Sequence, residues 1–260
     1  MTNKEIWQIA LRQSACDCNC TPADFFREEA VMTLSRPHPE ARKYLPLPFA
    51  CDLVSYGSNV VAQTSPDLAA PVGDFLGRFQ GSFYRCFETP NLYLLNDFLQ
   101  PWGYQVCFMA EYFLPDVERL AAQPCPYPLR LLHPVDFAAL YRPEWSHALC
   151  EERKELDVLG VGAYDGDTLI GFAACSADCA EMYQIGVDVL PAYRRQGVAS
   201  ALTSRLALEI LALGKVPFYC AAWSNVRSVR NAIRSGFRPA WVELTARDRD
   251  FVNRMNGHAK

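Results

Sequence analysis

The chain has 260 residues, of which 50% are hydrophobic and 21% charged, so neither global disorder nor low complexity fits it. No apolar run approaches the roughly 18 residues that a membrane span requires, and the opening MTNKEIWQIALRQ sets charges inside its apolar pattern, unlike a secretory leader. The net charge of −4 argues against a general nucleic-acid binder.

The charge is unevenly spread. Residues 1–127 carry nine basic against fourteen acidic side chains, whereas 191–238 carry eight basic residues and the single acid Glu209. Such a basic island marks a small anionic ligand or an exposed helix face. The eleven cysteines are an odd number in a chain long enough to need no disulfide staples, and with no export leader they read as reduced thiols of a cytoplasmic protein. Cys16-Asp-Cys18-Asn-Cys20 invites a metal reading, but paired zinc ligands favour about two to four intervening residues. Thiols that alternate along an extended segment also point to opposite faces. The expectation is no metal, there or at Cys175 and Cys179, with most cysteines acting as small buried hydrophobes.

Taken in chain order, Lys4–Arg12 is predicted helical, and Thr21-Pro22 starts a second helix. Leu53–Thr64 reads as two strands around Tyr56-Gly57-Ser58-Asn59, residues 67–79 and 91–99 as helices, and Tyr104–Phe113 as a strand. Prolines 115, 124, 126 and 128 mark a boundary, with room for a short helix over 117–122. The domains expected are 1–127, an amino-terminal α+β module, and 128–260. The second reads as a strand at 129–132, helices at 135–141 and 144–153, and a hairpin 158–174 turning at Asp165-Gly166-Asp167. Strand 182–189, helix 197–213, strand 217–223, helix 225–235 ending at Gly236 and strand 237–244 follow.

The informative stretch runs strand, short loop, glycine, helix, from Ile185 to Leu202. It delivers unpaired backbone N–H groups at a helix N-terminus, where a phosphate is held without a dedicated side chain. Gly197 permits close backbone approach, Ala199 and Ser200 leave room, and Arg194 and Arg195 add charge. Arg194-Arg195-Gln196-Gly197-Val198-Ala199 resembles the pyrophosphate motif of the GNAT superfamily of N-acetyltransferases, Arg/Gln-x-x-Gly-x-Gly/Ala. Asn225-x-x-Ser228 and Ser235-Gly236-Phe237 resemble the segment that follows it in that superfamily, and the likeness extends over about residues 128–246.

The resemblance implies a GNAT-like α/β (α+β) fold, a mixed and mostly antiparallel sheet flanked by helices, with acetyl-CoA as co-substrate. It places the pyrophosphate on the backbone of 195–200, Ser200 included, and the pantetheine arm along Val187, Asp188 and Val189. Asn225 and Ser228 fall on the pantetheine or sulfur side, Asn225 also being a natural helix cap. Arg227, Arg230 and Arg234 share a helix side, facing either the CoA phosphates or solvent.

The family pattern breaks at catalysis. Its helical tyrosine, general acid to the departing thiolate, is Ala232 here, and its strand carboxylate is Tyr183. Glu181, two residues earlier with the same parity, is the expected base; Tyr183, Tyr219 and Cys220 are the expected acids. Asp188 has the opposite parity and is free to cap a turn. The function implied is acetyl-CoA-dependent N-acetyl transfer to a primary amine of a small molecule, without nucleic acid or membrane; a homodimer is compatible with it. The alternative is a non-catalytic acyl-CoA-binding sensor, its first module serving a partner or being a degenerate copy of the second.

Overall fold

The computed structural model describes residues 1–257. In chain order its elements are α1 (Asn3–Asp17), β1 (Val31–Leu34), β2 (Cys51–Ser55), β3 (Val61–Thr64), α2 (Ala69–Gly77), α3 (Thr89–Leu99) and β4 (Tyr104–Pro115). Next come β5 (Leu129–Leu132), α4 (Pro134–Phe137), β6 (Asp157–Asp165), β7 (Thr168–Ser176) and β8 (Met182–Val189). The last are α5 (Val198–Ala212), β9 (Val216–Ala222), α6 (Val226–Arg234), β10 (Phe237–Asp248) and α7 (Arg249–Met255). The mixed, mostly antiparallel sheet with flanking helices is the fold class expected from the sequence.

The chain divides into two compact units, the first made of Met1–Ile9 with Tyr112–Pro239, the second of Ala10–Glu111 with the residues from Ala240 onward. The division expected between 127 and 128 falls elsewhere, because α1, β4 and β10 each contribute residues to both units.

In the first unit the strand order is β4-β9-β8-β7-β6-β5. The β8–β9 pair is parallel; β5–β6, β6–β7 and β7–β8 are antiparallel. The β6–β7 hairpin turns through Gly166 at φ +58°, as Asp165-Gly166-Asp167 predicts. On one face Val198, Leu202, Leu206 and Ile210 of α5 bury against Val161, Ile170, Ala173 and Ile185. Helix and sheet approach so closely that a Cβ on Gly171 would lie 2.9 Å from Val198 Cγ1. On the other face Phe137, Trp145, Ala148 and Leu149 pack on Phe172 and Ala174.

Three predicted helices of this unit are shorter or absent. Residues 135–141 give only the single turn α4, and 144–153 resolve into 3-10 turns at Pro143–Trp145 and Glu151–Leu156. Within 144–153 side chains compete for N–H groups: Asp188 accepts from those of His147 and Ala148, the latter shared with Trp145 O, and Asp157 from that of Cys150. Residues 117–122 hold one turn, with Leu120 N donating to Asp116 O and Leu120 packed on Gly236.

In the second unit the order is β1-β3-β2-β10-β4, with β1–β3 parallel and β3–β2 and β2–β10 antiparallel. Its core joins Leu53, Ala62 and Leu244 to Val72, Phe75, Leu95 and Leu99 of α2 and α3. Thr21-Pro22 starts only a 3-10 turn, Pro22–Phe26, closed by a Thr21–Asp24 capping box. The short strand β1 and helix α7 were not foreseen. The buried Arg42 guanidinium pairs with Asp17 at 3.2 Å. Cys18 is fully buried, which pushes its thiol pKa up, whereas Cys16, His38 and Glu40 bring donor atoms within 4.8 Å of one another. All eleven cysteines are free.

Candidate functional site

Strand β8 ends at Val189, after which Pro191–Tyr193 forms a 3-10 turn and α5 begins at Val198. Two left-handed residues shape the loop, Arg195 at φ +63° and Gly197 at φ +84°. Glycine adopts that conformation freely; for Arg195 it costs on the order of 1–3 kcal/mol, a strain typical of functional loops. Gly197 caps α5 without a side chain, and the first intrahelical bond is Ala201 N to Gly197 O at 3.0 Å. The N–H groups of Val198, Ala199 and Ser200 therefore lie before the helix ladder, at its positive end. Side chains pin the loop: Arg194 Nε donates to Val189 O (2.9 Å), Tyr127 Oη to Gln196 Oε1 (2.9 Å) and Tyr193 Oη to Asp165 Oδ2 (3.0 Å).

Beside this loop two parallel strands part. The β8–β9 register runs from Met182↔Val216 to Ile185↔Tyr219 and stops there, although β8 stays paired with β7 as far as Val189. A cavity of about 1010 Å³ opens at the parting. Gly186–Val189 line one side, Tyr219–Ala222 the other, and residues 193–195 with 197–200 and the side of α6 complete it. Six arginines reach its wall, at 153, 194, 195, 227, 230 and 234; among the described residues Asp188 is its one carboxylate. This arrangement suits a long ligand with a polyanionic end, the arginines and free N–H groups taking the phosphates.

The structure brings most of the predicted residues together here. Val187, Asp188 and Val189, the loop residues 194–200 apart from Gln196, and Asn225, Ser228 and Tyr219 all line the cavity. Asn225 also caps α6, its Oδ1 accepting from Ser228 N at 3.2 Å. Tyr219 Oη lies 2.8 Å from Ser228 Oγ. Burial pushes the Tyr219 pKa up, against smaller lowering by hydrogen bonds to Ser228 and Asn231, so the phenol holds its proton at neutral pH. Arg227, Arg230 and Arg234 are exposed and on the wall at once.

Three predicted residues lie elsewhere. Gln196 turns away to Tyr127 and to Ala192 O. Glu181 and Tyr183 sit at the opposite end of β8, where Glu181 O accepts from Val216 N and Tyr183 pairs with Pro217. The part of β8 that lines the cavity begins at Gln184, past both residues. Six residues of strand separate Glu181 from Val187, about 20 Å. Conversely, His147, Cys150, Arg153, Ser176 and Gln184 line the cavity unforeseen. Gln184 Nε2 reaches Cys220 Sγ at 3.0 Å. The first three come from a segment read as helix, and only the opposite parity of Asp188 hinted that something there would be held.

Residues 116–240 match the family model described as GNAT acetyltransferase. That match spans 125 of the 260 residues, just under half of the chain. Among solved structures it is similar to a GNAT-family chain from Novosphingobium aromaticivorans (20% identity over 55% of this chain and 66% of that one, TM-score 0.42). A GCN5-related N-acetyltransferase from Sphaerobacter thermophilus matches at 15% identity over 73% and 72%, TM-score 0.47. The Salmonella typhimurium protein yncA, solved with its cofactor acetyl-CoA, matches at 18% over 46% and 92%, TM-score 0.34. No curated protein sequence matches the chain. Among the described residues no helix is long and apolar enough to cross a membrane.

Proposed function

We propose that the protein transfers the acetyl group of acetyl-CoA to a primary amine of a small molecule. The observation that carries this reading is the parting of β8 from β9 next to the uncapped start of α5. The loop backbone of 195–200 with the neighbouring arginines takes the pyrophosphate, and the edges of Val187 and Val189 take the pantetheine arm. Arg194 Nε already donates to the Val189 carbonyl, which leaves that oxygen a second lone pair for the arm. The thioester then lies between Gly186–Val189 and Cys220–Ala222, where backbone N–H groups can steady the developing oxyanion.

Tyr219 supplies the proton for the departing thiolate. It reaches from β9 toward α6, the helix on which Ala232 leaves no phenol, and its bond to Ser228 Oγ fixes its tip. The eleven free thiols suit a reducing compartment such as the cytoplasm.

Ala232 also favours a second reading, an acyl-CoA binder that transfers nothing. Calorimetry with acetyl-CoA and chromatographic measurement of released CoA, with tyramine, spermidine and kanamycin as probe amines, separate the two. We expect binding and amine-dependent release. Valine at 197, held at φ +84°, distorts the loop, so Gly197→Val should weaken acetyl-CoA binding at least tenfold, about 1.4 kcal/mol. Unchanged affinity with the fold intact refutes the CoA site, and binding without release with any amine supports the binder.

A further inference from the structure

We propose that His147 is the base that takes the proton from the attacking amine, and that Asp188 positions it; the inference rests on the acetyl-transfer reading above. Two observations carry it. The first is a histidine–carboxylate pair on the cavity wall: His147 Nδ1 lies 2.8 Å from Asp188 Oδ1. Asp188 Oδ2 accepts from His147 N at 2.8 Å and from Ala148 N at 3.1 Å, so one carboxylate fixes both the ring and the backbone that bears it. The second is the seat of that backbone. A Cβ on Gly186 would fall 1.8 Å from His147 O, so the loop rests directly on the first residue of β8 beyond the last β8–β9 pair.

The chemistry follows from the hydrogen bonds. A neutral imidazole facing a carboxylate through Nδ1 carries its proton there, which makes Nε2 the acceptor. Asp188 is 15% exposed and His147 81%, so the carboxylate is held within the protein while the ring meets whatever enters from solvent. This is the orientation logic of nucleophile-activating triads, with the incoming amine in the place of a serine.

In the reaction Nε2 takes one proton from the ammonium, and the freed lone pair forms the C–N bond to the thioester carbonyl. Collapse of the adduct breaks the C–S bond. The departing sulfur takes a proton from Tyr219, which is refilled by the second proton of the nitrogen, and the imidazolium releases its own to solvent. The titratable and charged groups that share the wall with His147 are Asp188 in contact, Cys150 and Arg153 from the segment after it, Tyr219 and Cys220 on β9, Tyr193, Arg194 and Arg195 of the loop, and Arg227, Arg230 and Arg234 of α6.

The test uses the full chain and its His147→Gln and Asp188→Asn variants. Acetyl-CoA affinity is read by calorimetry, and kcat/KM by chromatography of released CoA from pH 5.5 to 9. The amines are tyramine, spermidine and kanamycin, together with hydroxylamine, which is already neutral at pH 7. For H147Q we expect unchanged acetyl-CoA affinity, a fall in kcat/KM of about 10²-fold or more with the alkylamines, loss of the acidic limb of the pH profile, and a much smaller deficit with hydroxylamine. D188N should lower kcat/KM less than H147Q does, and its deficit should likewise be smaller with hydroxylamine. An active wild type whose H147Q variant keeps the same profile, or loses activity equally with every amine, overturns the role of His147 alone and leaves it a loop clamp. A wild type that binds acetyl-CoA and releases no CoA with any amine also overturns it. A wild type that binds no acetyl-CoA overturns the transfer reading and this inference together.

Discussion

Replacing Gly186 by alanine adds one carbon at the most crowded point of the site. That carbon would lie 1.8 Å from His147 O and 2.8 Å from His147 C, both backbone atoms that cannot swing aside. Ordinary contact is about 3.5 Å, so the 147–148 loop must retreat by roughly 1.5 Å. The three bonds that Asp188 makes to this loop now span 2.8–3.1 Å, and a retreat on that scale breaks them. Overpacking of this kind costs about 1–3 kcal/mol, and part of the hydrogen-bond energy is returned by water because His147 is exposed. A net loss of about 2–3 kcal/mol lowers Tm by roughly 4–10 °C for a protein of this size. Thermal unfolding of G186A beside wild type reads this directly, and kcat/KM should fall about tenfold or more as the imidazole is displaced. A G186A protein within about 0.5 kcal/mol of wild type would refute the close packing of loop on strand.

Asp157 carries a pH signature of the opposite sign to a surface carboxylate. Burial is the main cause that raises its pKa to about 6, so the folded state takes up a proton there, and stability falls as pH rises from about 4 to 6. Asp157→Asn should flatten the dependence of Tm on pH over that window, and an unaltered slope counts against the assignment. Asn225→Ala removes the cap on Ser228 N and should cost about 1 kcal/mol in thermal unfolding; no change would mean the cap is idle. Denaturation without reductant should expose eleven titratable thiols, and the reproducible loss of two or more would refute the free-thiol reading.

The loop was legible because its demands are local. A glycine at a helix start, flanked by arginines after a strand, states its geometry within a dozen residues. The hairpin at Asp165-Gly166-Asp167 was legible for the same reason. The partition of the chain was not, because β10 pairs with a strand far back in the sequence and no composition shift announces it. Glu181 was assigned to the site by strand parity, yet it precedes the first residue of β8 and is absent from the cavity wall. Side-chain parity follows from the residue number alone, but the point where β8 and β9 separate depends on what packs between them. His147 was hidden by a pattern that reads as helix; the two aspartates that unravel it lie 7 and 41 residues away.

The pairing of β10 with β2 also sets an order for folding. Val242–Ala246 lie beside Cys51–Ser55, and Thr245 Oγ1 donates to the buried Asp52 Oδ1 across 193 positions of sequence. A nascent chain that has reached residue 239 therefore holds β2 with one edge bare, and a buried carboxylate without one of its donors. Closing so long a loop is slow, and an unpaired strand edge waiting for its partner is a site of misassociation. The second unit, begun at Ala10 ahead of most of the first, is thus the one finished last, and chaperone dependence should concentrate in it rather than in the first unit.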